Sequence, residues 1–163
     1  MIMSVTKLQL THIPTMKVGM LIRRPLAEVF QAFVDPTITT KFWFTRSTGK
    51  LTPGADIRWD WEMYGLSVAV SVKKVEEHSR IVFEWGDGKP STVELRFTPC
   101  EDDTTYVQAT DTRHAASDGD EIASHVAESA SGFAIVLCAL KALLEHDLAL
   151  NAVMDAHAAG FEH

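Results

Sequence analysis

Ser131-Gly-Phe-Ala-Ile-Val-Leu-Cys-Ala-Leu-Lys-Ala-Leu-Leu-Glu145 is the centre of a longer segment, Glu121 to Leu150, whose period decides the fold. Apolar residues recur at Ile122, Val126, Ala130, Phe133, Leu137, Leu140, Leu144 and Leu148, at steps of three and four. That spacing is the 3.6-residue period of an amphipathic helix. Ile135, Val136 and Leu143 widen the stripe, so burial over more than half the girth is expected. The unbroken apolar run reads as too short, and its flanks as too charged, for a membrane span. Ser117-Asp118-Gly119-Asp120 offers side-chain oxygens to the free N–H groups at the helix start. Gly132 breaks the pattern. A glycine inside a helix costs about 1 kcal/mol against alanine. Its use is to make room near the helix backbone, either for a strand or for a ligand.

The totals set wide bounds. A chain of 163 residues is enough for one domain with a real core. A hydrophobic content of 46% with 23% charged residues describes an ordinary globule. A net charge of −7 argues against nucleic acid as a partner. No apolar run follows a basic start in the first twenty residues, so no signal peptide is expected. Cys100 and Cys138 make no disulfide framework, and a reduced cytoplasm is the simple inference. Cys138 falls within the helix and is expected to be buried there.

Outward from the helix, residues 1–14 show no period and read as a partly ordered tail. Residues 15–163 read as one domain. Met16 to Arg23 is rich in strand formers. Pro25 opens a short helix whose Leu26, Val29, Phe30, Phe33 and Val34 share a face. Asp35-Pro36 stops that helix and caps the next, which delivers Lys41-Phe42-Trp43-Phe44. From Thr45 to Asp111 the period changes to two. Ile57, Trp59, Trp61 and Met63 alternate with charged residues. Val68, Val70 and Val72 follow, then Ile81, Phe83 and Trp85, then Val93, Leu95 and Phe97, then Val107 and Ala109. Turn residues separate the runs at Pro53-Gly54, Tyr64-Gly65, Glu77 to Ser79, Gly86 to Gly88 and Glu101 to Asp103. Such strands form an antiparallel meander with one buried face. The whole is an α+β fold of six or seven strands, two short helices after the first strand and one long helix at the end.

The residues Arg24-Pro-Leu-Ala-Glu-Val-Phe-Gln-Ala-Phe-Val-Asp-Pro36, Phe42-Trp43, Leu51 to Trp59, Arg80-Ile-Val-Phe-Glu-Trp85 and Gly132-Phe133 carry a resemblance. In order and spacing the chain resembles the START-like (SRPBCC) helix-grip superfamily. Within it, the chain is similar to homologues of the activator of the heat-shock-protein-90 ATPase. Phe133 departs from the tryptophan usual after that glycine. The resemblance implies a cupped sheet around the long helix, with an elongated apolar cavity between them. It implies no single reaction, since fold does not fix function.

The candidate site follows from that cup. Trp59, Trp61 and Trp85 occupy the buried face, and Trp43 ends the second short helix. They either pack a core or line an aromatic slot for an apolar ligand. Phe97, Gly132, Phe133 and Leu137 complete the candidate ligand-binding set. Asp111 continues the phase of Val107 and Ala109 and should point inward, unless the strand ends there and leaves it solvated. Buried, it would be the polar anchor of the cavity or a general base, with Arg113 and His114 beside it. Asp60 and Glu62 share a face opposite the tryptophans and read as a solvated outer surface. The seven histidines have no ligand spacing, and no cofactor, metal or catalytic set is expected. His146 and His157 would lie three helical turns apart, and His114 and His125 could meet across a loop. Residues 43–50 and 113–120 read as connections at the mouth of the cup.

Three functions fit. The first is binding of a small hydrophobic molecule between sheet and helix, in stress response or lipid and polyketide metabolism. The second is a cyclase or dehydratase using Asp111 with His114. The third is a module that contacts a chaperone. A second copy of the chain is a further candidate partner.

Overall fold

The period-two stretch folds as a single antiparallel sheet. A computed structural model describes residues 6–114 and 118–157. Its strands are β1 (Met16–Ile22), β2 (Arg46–Ser47), β3 (Asp56–Trp61), β4 (Leu66–Glu76), β5 (Arg80–Trp85), β6 (Ser91–Cys100) and β7 (Thr104–Arg113). They lie in the order β1-β7-β6-β5-β4-β3-β2. The meander from β3 to β7 is thus extended on one side by β1 and on the other by β2. Register places apolar residues in rows across the inner face, such as Val18, Ala109 and Leu95. A one-residue slip would turn every such row to solvent. β3 stops at Trp61, and Met63 sits exposed in a single 3-10 turn, Glu62–Tyr64, rather than continuing the alternation. Gly65 closes that turn with φ 61°, a left-handed conformation that glycine adopts without strain.

Of the two segments expected to be open connections, the first is tied down. Residues 45–48 are held to β3: Thr45 N–H donates to the Asp60 carbonyl at 2.8 Å and Thr48 N–H to the Arg58 carbonyl at 3.1 Å. The result is the edge strand β2 rather than a loop. Residues 115–117 of the other connection, with the expected cap residue Ser117, lie outside the described residues.

The helices follow from their caps. α1 (Leu26–Val34) begins one residue after Pro25, which stands in the capping position and not inside the first turn. α2 (Pro36–Thr39) is capped by Asp35, whose carboxylate accepts from Thr37 N–H at 3.0 Å and from the Thr37 hydroxyl at 2.8 Å. The chain leaves α2 carrying Phe42, Trp43 and Phe44, all buried. α3 (Gly119–His146) is capped by Asp118, which accepts from Glu121 N–H at 2.9 Å. α3 ends four residues before the segment Glu121 to Leu150 does, because Asp147 turns left-handed at φ 53°. Leu148 and Leu150 therefore fall outside the helix and are exposed. A further short helix, α4 (Ala152–Ala156), follows Asn151, so His146 and His157 share no helix.

α3 is less buried than its composition suggests. Seven of its 28 residues are fully buried, eleven more are half-buried and ten are exposed. Cys138 is exposed, as is Cys100. The reason is angular: Phe133, Val136, Leu137 and Leu140 face the sheet, and Cys138 points away from them. By length and mean hydropathy, 1.6 over its most apolar window, α3 could cross a bilayer. Its apolar stripe is instead packed on the sheet, as in the core helix of a globular domain. Residues 6–15 form no helix or strand. They run over the start of α3, where a Cβ on Gly119 would collide with the Leu8 carbonyl.

The far end of α3 is anchored by charge. Lys141 donates to the Leu21 carbonyl at 2.8 Å and to Glu145 at 2.7 Å, and Arg23 N–H donates to Glu145 at 3.1 Å. Burial raises the Glu145 pKa, but the Lys141 and Arg23 hydrogen bonds outweigh it and hold the carboxyl below its ordinary 4.5. A depressed folded pKa contributes stability that is present above pH 4.5 and lost as pH falls through the folded value. Glu145→Gln should cost about 1–3 kcal/mol at neutral pH. It should also remove part of the stability loss expected of wild type below pH 4.5. Denaturant titrations across pH would test this, and parallel curves for the two proteins would show that Glu145 plays no such part.

Candidate ligand-binding cavity

One helix cannot cover seven strands, and the uncovered part of the inner face is a cavity of about 380 Å³. It lies between strands β3 to β7 on one side and α3 on the other, with Val153 and Ala156 of α4 at its edge. α4 is held there by Tyr64, whose hydroxyl donates to the carbonyls of Val153 and Met154. Trp43, Trp61, Trp85 and Phe133 form the wall. Their rings are in contact: Trp43 to Phe133 is 5.6 Å, Trp85 to Phe133 is 5.7 Å and Trp61 to Trp85 is 6.5 Å between centroids. The Trp85 indole donates to the Ser91 hydroxyl at 3.2 Å, so that ring is fixed in place.

Gly132 faces this space. A Cβ built on it meets no atom within 4 Å. The glycine therefore does not admit a closely packed strand, and of the two readings only open space beside the helix backbone remains.

Not every expected lining residue reaches the cavity. Trp59 is buried behind the wall, stacked on Phe44 at 4.5 Å. Phe97 lies under α1, edge-on to Phe30 at 5.2 Å and to Phe33 at 5.6 Å. Leu137 belongs to the helix–sheet core. Trp43, Trp61, Trp85, Asp111, Gly132 and Phe133 do line the cavity.

Asp111 is 1% exposed, so the strand continues through it and the solvated alternative falls. Its neighbours are not those that strand order suggests. His114 sits beyond the end of β7, and its Nε2 lies 2.6 Å from the hydroxyl of Thr92. Arg113 points inward with Asp111 but forms no ion pair with it. The partners come from α3. Ser129 Oγ donates to Asp111 Oδ2 at 2.7 Å, and His125 Nε2 stands 3.6 Å from the same oxygen. A sequence signal for them existed: His125, Ser129, Gly132 and Val136 recur at steps of four, three and four. This polar stripe runs beside the apolar one. His114 thus contacts Thr92 and His125 approaches Asp111, and among the described residues no three His, Cys, Asp or Glu side chains gather as a metal-binding group. Asp60 is on the outer surface, as expected, with its pKa lowered by hydrogen bonds from Ser67 and Arg46.

Chemically the site has an aromatic body and a polar end. The Ser129 hydroxyl donates to a carboxylate, and His125 approaches that carboxylate rather than the serine. This is an orienting arrangement, not a nucleophile with its base.

Comparison with known proteins agrees with the architecture. A family model described as Activator of Hsp90 ATPase homolog 1-like protein matches residues 23–145. No curated protein matches the chain. Among solved structures, protein SSP2350 from Staphylococcus saprophyticus is 26% identical, with a TM-score of 0.72 over 84% of this chain and 96% of that one. The Aha1 dimer from Colwellia psychrerythraea is 17% identical, with a TM-score of 0.69 over 82% of this chain and 97% of that one. DynU16, from the dynemicin biosynthetic locus, is 24% identical, with a TM-score of 0.73 over 83% of this chain and 48% of that one.

The open space at Gly132 has a measurable consequence. Gly132→Ala should gain helix propensity with no collision and stabilise the protein by up to about 1 kcal/mol in chemical denaturation. A destabilised Gly132→Ala protein would mean that the helix backbone is closely packed after all.

Proposed function

Because the chain belongs to the family of Activator of Hsp90 ATPase homolog 1-like proteins, we propose that it uses the helix-grip cavity of that fold to bind a small, largely apolar molecule. The observation that carries this reading is the cavity of about 380 Å³, walled by three tryptophans and a phenylalanine and polar at one end only. Volumes of roughly 300–1,000 Å³ with a few placed polar groups are usual for small-molecule sites. Affinity would come from apolar burial, at about 25 cal/mol per Å². Orientation would come from Asp111 and its helix partners. Lipid or polyketide metabolism and stress response are the settings such a carrier would serve.

The test uses N-phenyl-1-naphthylamine, a neutral dye that fluoresces on entering an apolar site. Wild type should bind one equivalent. Gly132→Leu should fill the space beside the helix and weaken binding at least about tenfold while circular dichroism shows a folded domain, since an overfilled site excludes its guest. Equal dye affinity in a folded Gly132→Leu protein would remove the cavity from consideration.

One observation favours a second reading, contact with another protein. Leu148, Leu150 and Met154 are exposed within the few residues after α3. The Colwellia Aha1 structure is of a dimer, and an HSP90 activator from Plasmodium falciparum, 20% identical with a TM-score of 0.53, is also similar over 64% of this chain. On this reading the protein is a dimer in light scattering, and Leu150→Asp converts it to a monomer. A monomeric wild type would end the second-copy version of the idea.

A further inference from the structure

Among the described residues, three buried side-chain polar atoms lack a hydrogen-bond partner: Asp111 Oδ1, Arg113 Nε and His125 Nε2. All three residues line the same cavity. Buried polar groups are rarely left unsatisfied, and each such group calls for an explanation. Here they converge on one end of one space, beside the Gly132 backbone where a Cβ would meet nothing.

We infer that this end takes a neutral head group that carries a donor and an acceptor side by side, of the carboxamide type, on an aromatic body. The inference rests on the small-molecule reading above. An ionised carboxylate accepts only, so Asp111 Oδ1 asks for a donor. A guanidinium donates only, so Arg113 Nε asks for an acceptor. The two residues are two apart on one strand face, roughly 6.5–7 Å between Cα atoms. They form no ion pair, so neither satisfies the other. An amide edge offers both functions within a few ångströms. A carboxylate head would set like charge against Asp111, and an ammonium head would do the same against Arg113. The other charged groups lining the site, Glu128 and Lys89, are of opposite sign and tip the balance neither way. His125 Nε2 donates or accepts according to its tautomer, and it fits either half of the pair.

The experiment measures wild-type affinity for four probes on one aromatic frame by calorimetry: 2-methylnaphthalene, 2-naphthamide, 2-naphthoate and 2-naphthylmethylammonium. The amide should bind about tenfold more tightly than each of the others, since a hydrogen bond to a buried charge exceeds the loss of one methyl contact. Asp111→Asn removes the like charge and should bring 2-naphthoate to the level of the amide. Arg113→Gln should do the same for the ammonium. Methylnaphthalene bound as tightly as the amide, or a charged probe preferred to it in wild type, would overturn the inference and leave the cavity reading standing. Failure of all four to bind would overturn both. The wild-type ranking decides the matter even if a variant fails to fold.

Discussion

A single helix has to cover the inner face of seven strands, and the structure depends on how that mismatch is handled. Seven strands at about 4.8 Å spacing present roughly 29 Å of inner surface. One helix is about 10–12 Å across. Curvature of the sheet closes part of the gap. The rest is shared between two fillers. Under one end sit α1 and the Phe42-Trp43-Phe44 run, with Phe33 and Phe97 packed among them. At the other end α3 stands off from the sheet, and the aromatic wall borders open space between them. The cavity is therefore what remains when one amphipathic helix is matched to a sheet more than twice its width.

That geometry explains what could be read from the residues and what could not. The strand period, the turn residues, the Asp35-Pro36 junction and the helix stripe are local signals, and each appears in the structure where local chemistry puts it. The inward phase of Asp111 was legible for the same reason. Its partners were not, because they depend on the rotation of α3 about its own axis. Two stripes run along that helix, one apolar through Phe133 and Leu137, one polar through His125 and Ser129. Only tertiary packing chooses how far each turns toward β7. The same rotation sends Cys138 outward. The end of α3 is not legible in the residues, because Asp147 adopts a left-handed conformation that its sequence does not announce. Nor is β2, because two residues carry no period at all.

The aromatic residues divide along the same line. Sequence alone grouped Trp59 and Phe97 with Trp61 and Trp85, since all four occupy inward positions of their strands. Inwardness on a sheet means facing the second layer, whatever that layer is. Where the layer is α1, α2 and the residues that follow them, the ring becomes core. Where the layer stands off from the sheet, the ring becomes cavity wall. Trp61 and Trp85 fall on the open side, and Trp59 and Phe97 on the filled side.

Two features of this domain run against its own stability, and they meet at one place. A glycine in the middle of α3 forfeits about 1 kcal/mol of helix propensity, and no packed neighbour accounts for it. A carboxylate 1% exposed costs more, and its one hydrogen bond from Ser129 leaves the second oxygen unserved. Many other local choices agree with the fold: Asp35 and Asp118 as caps, Gly65 in its turn, strand register and the Glu145 anchor all favour the native arrangement. Violations of local rules in an otherwise consistent protein tend to mark functional positions. Either feature alone could be an accident of packing. Placed together at the polar end of an aromatic cavity, they support the proposal that the space between them takes a guest.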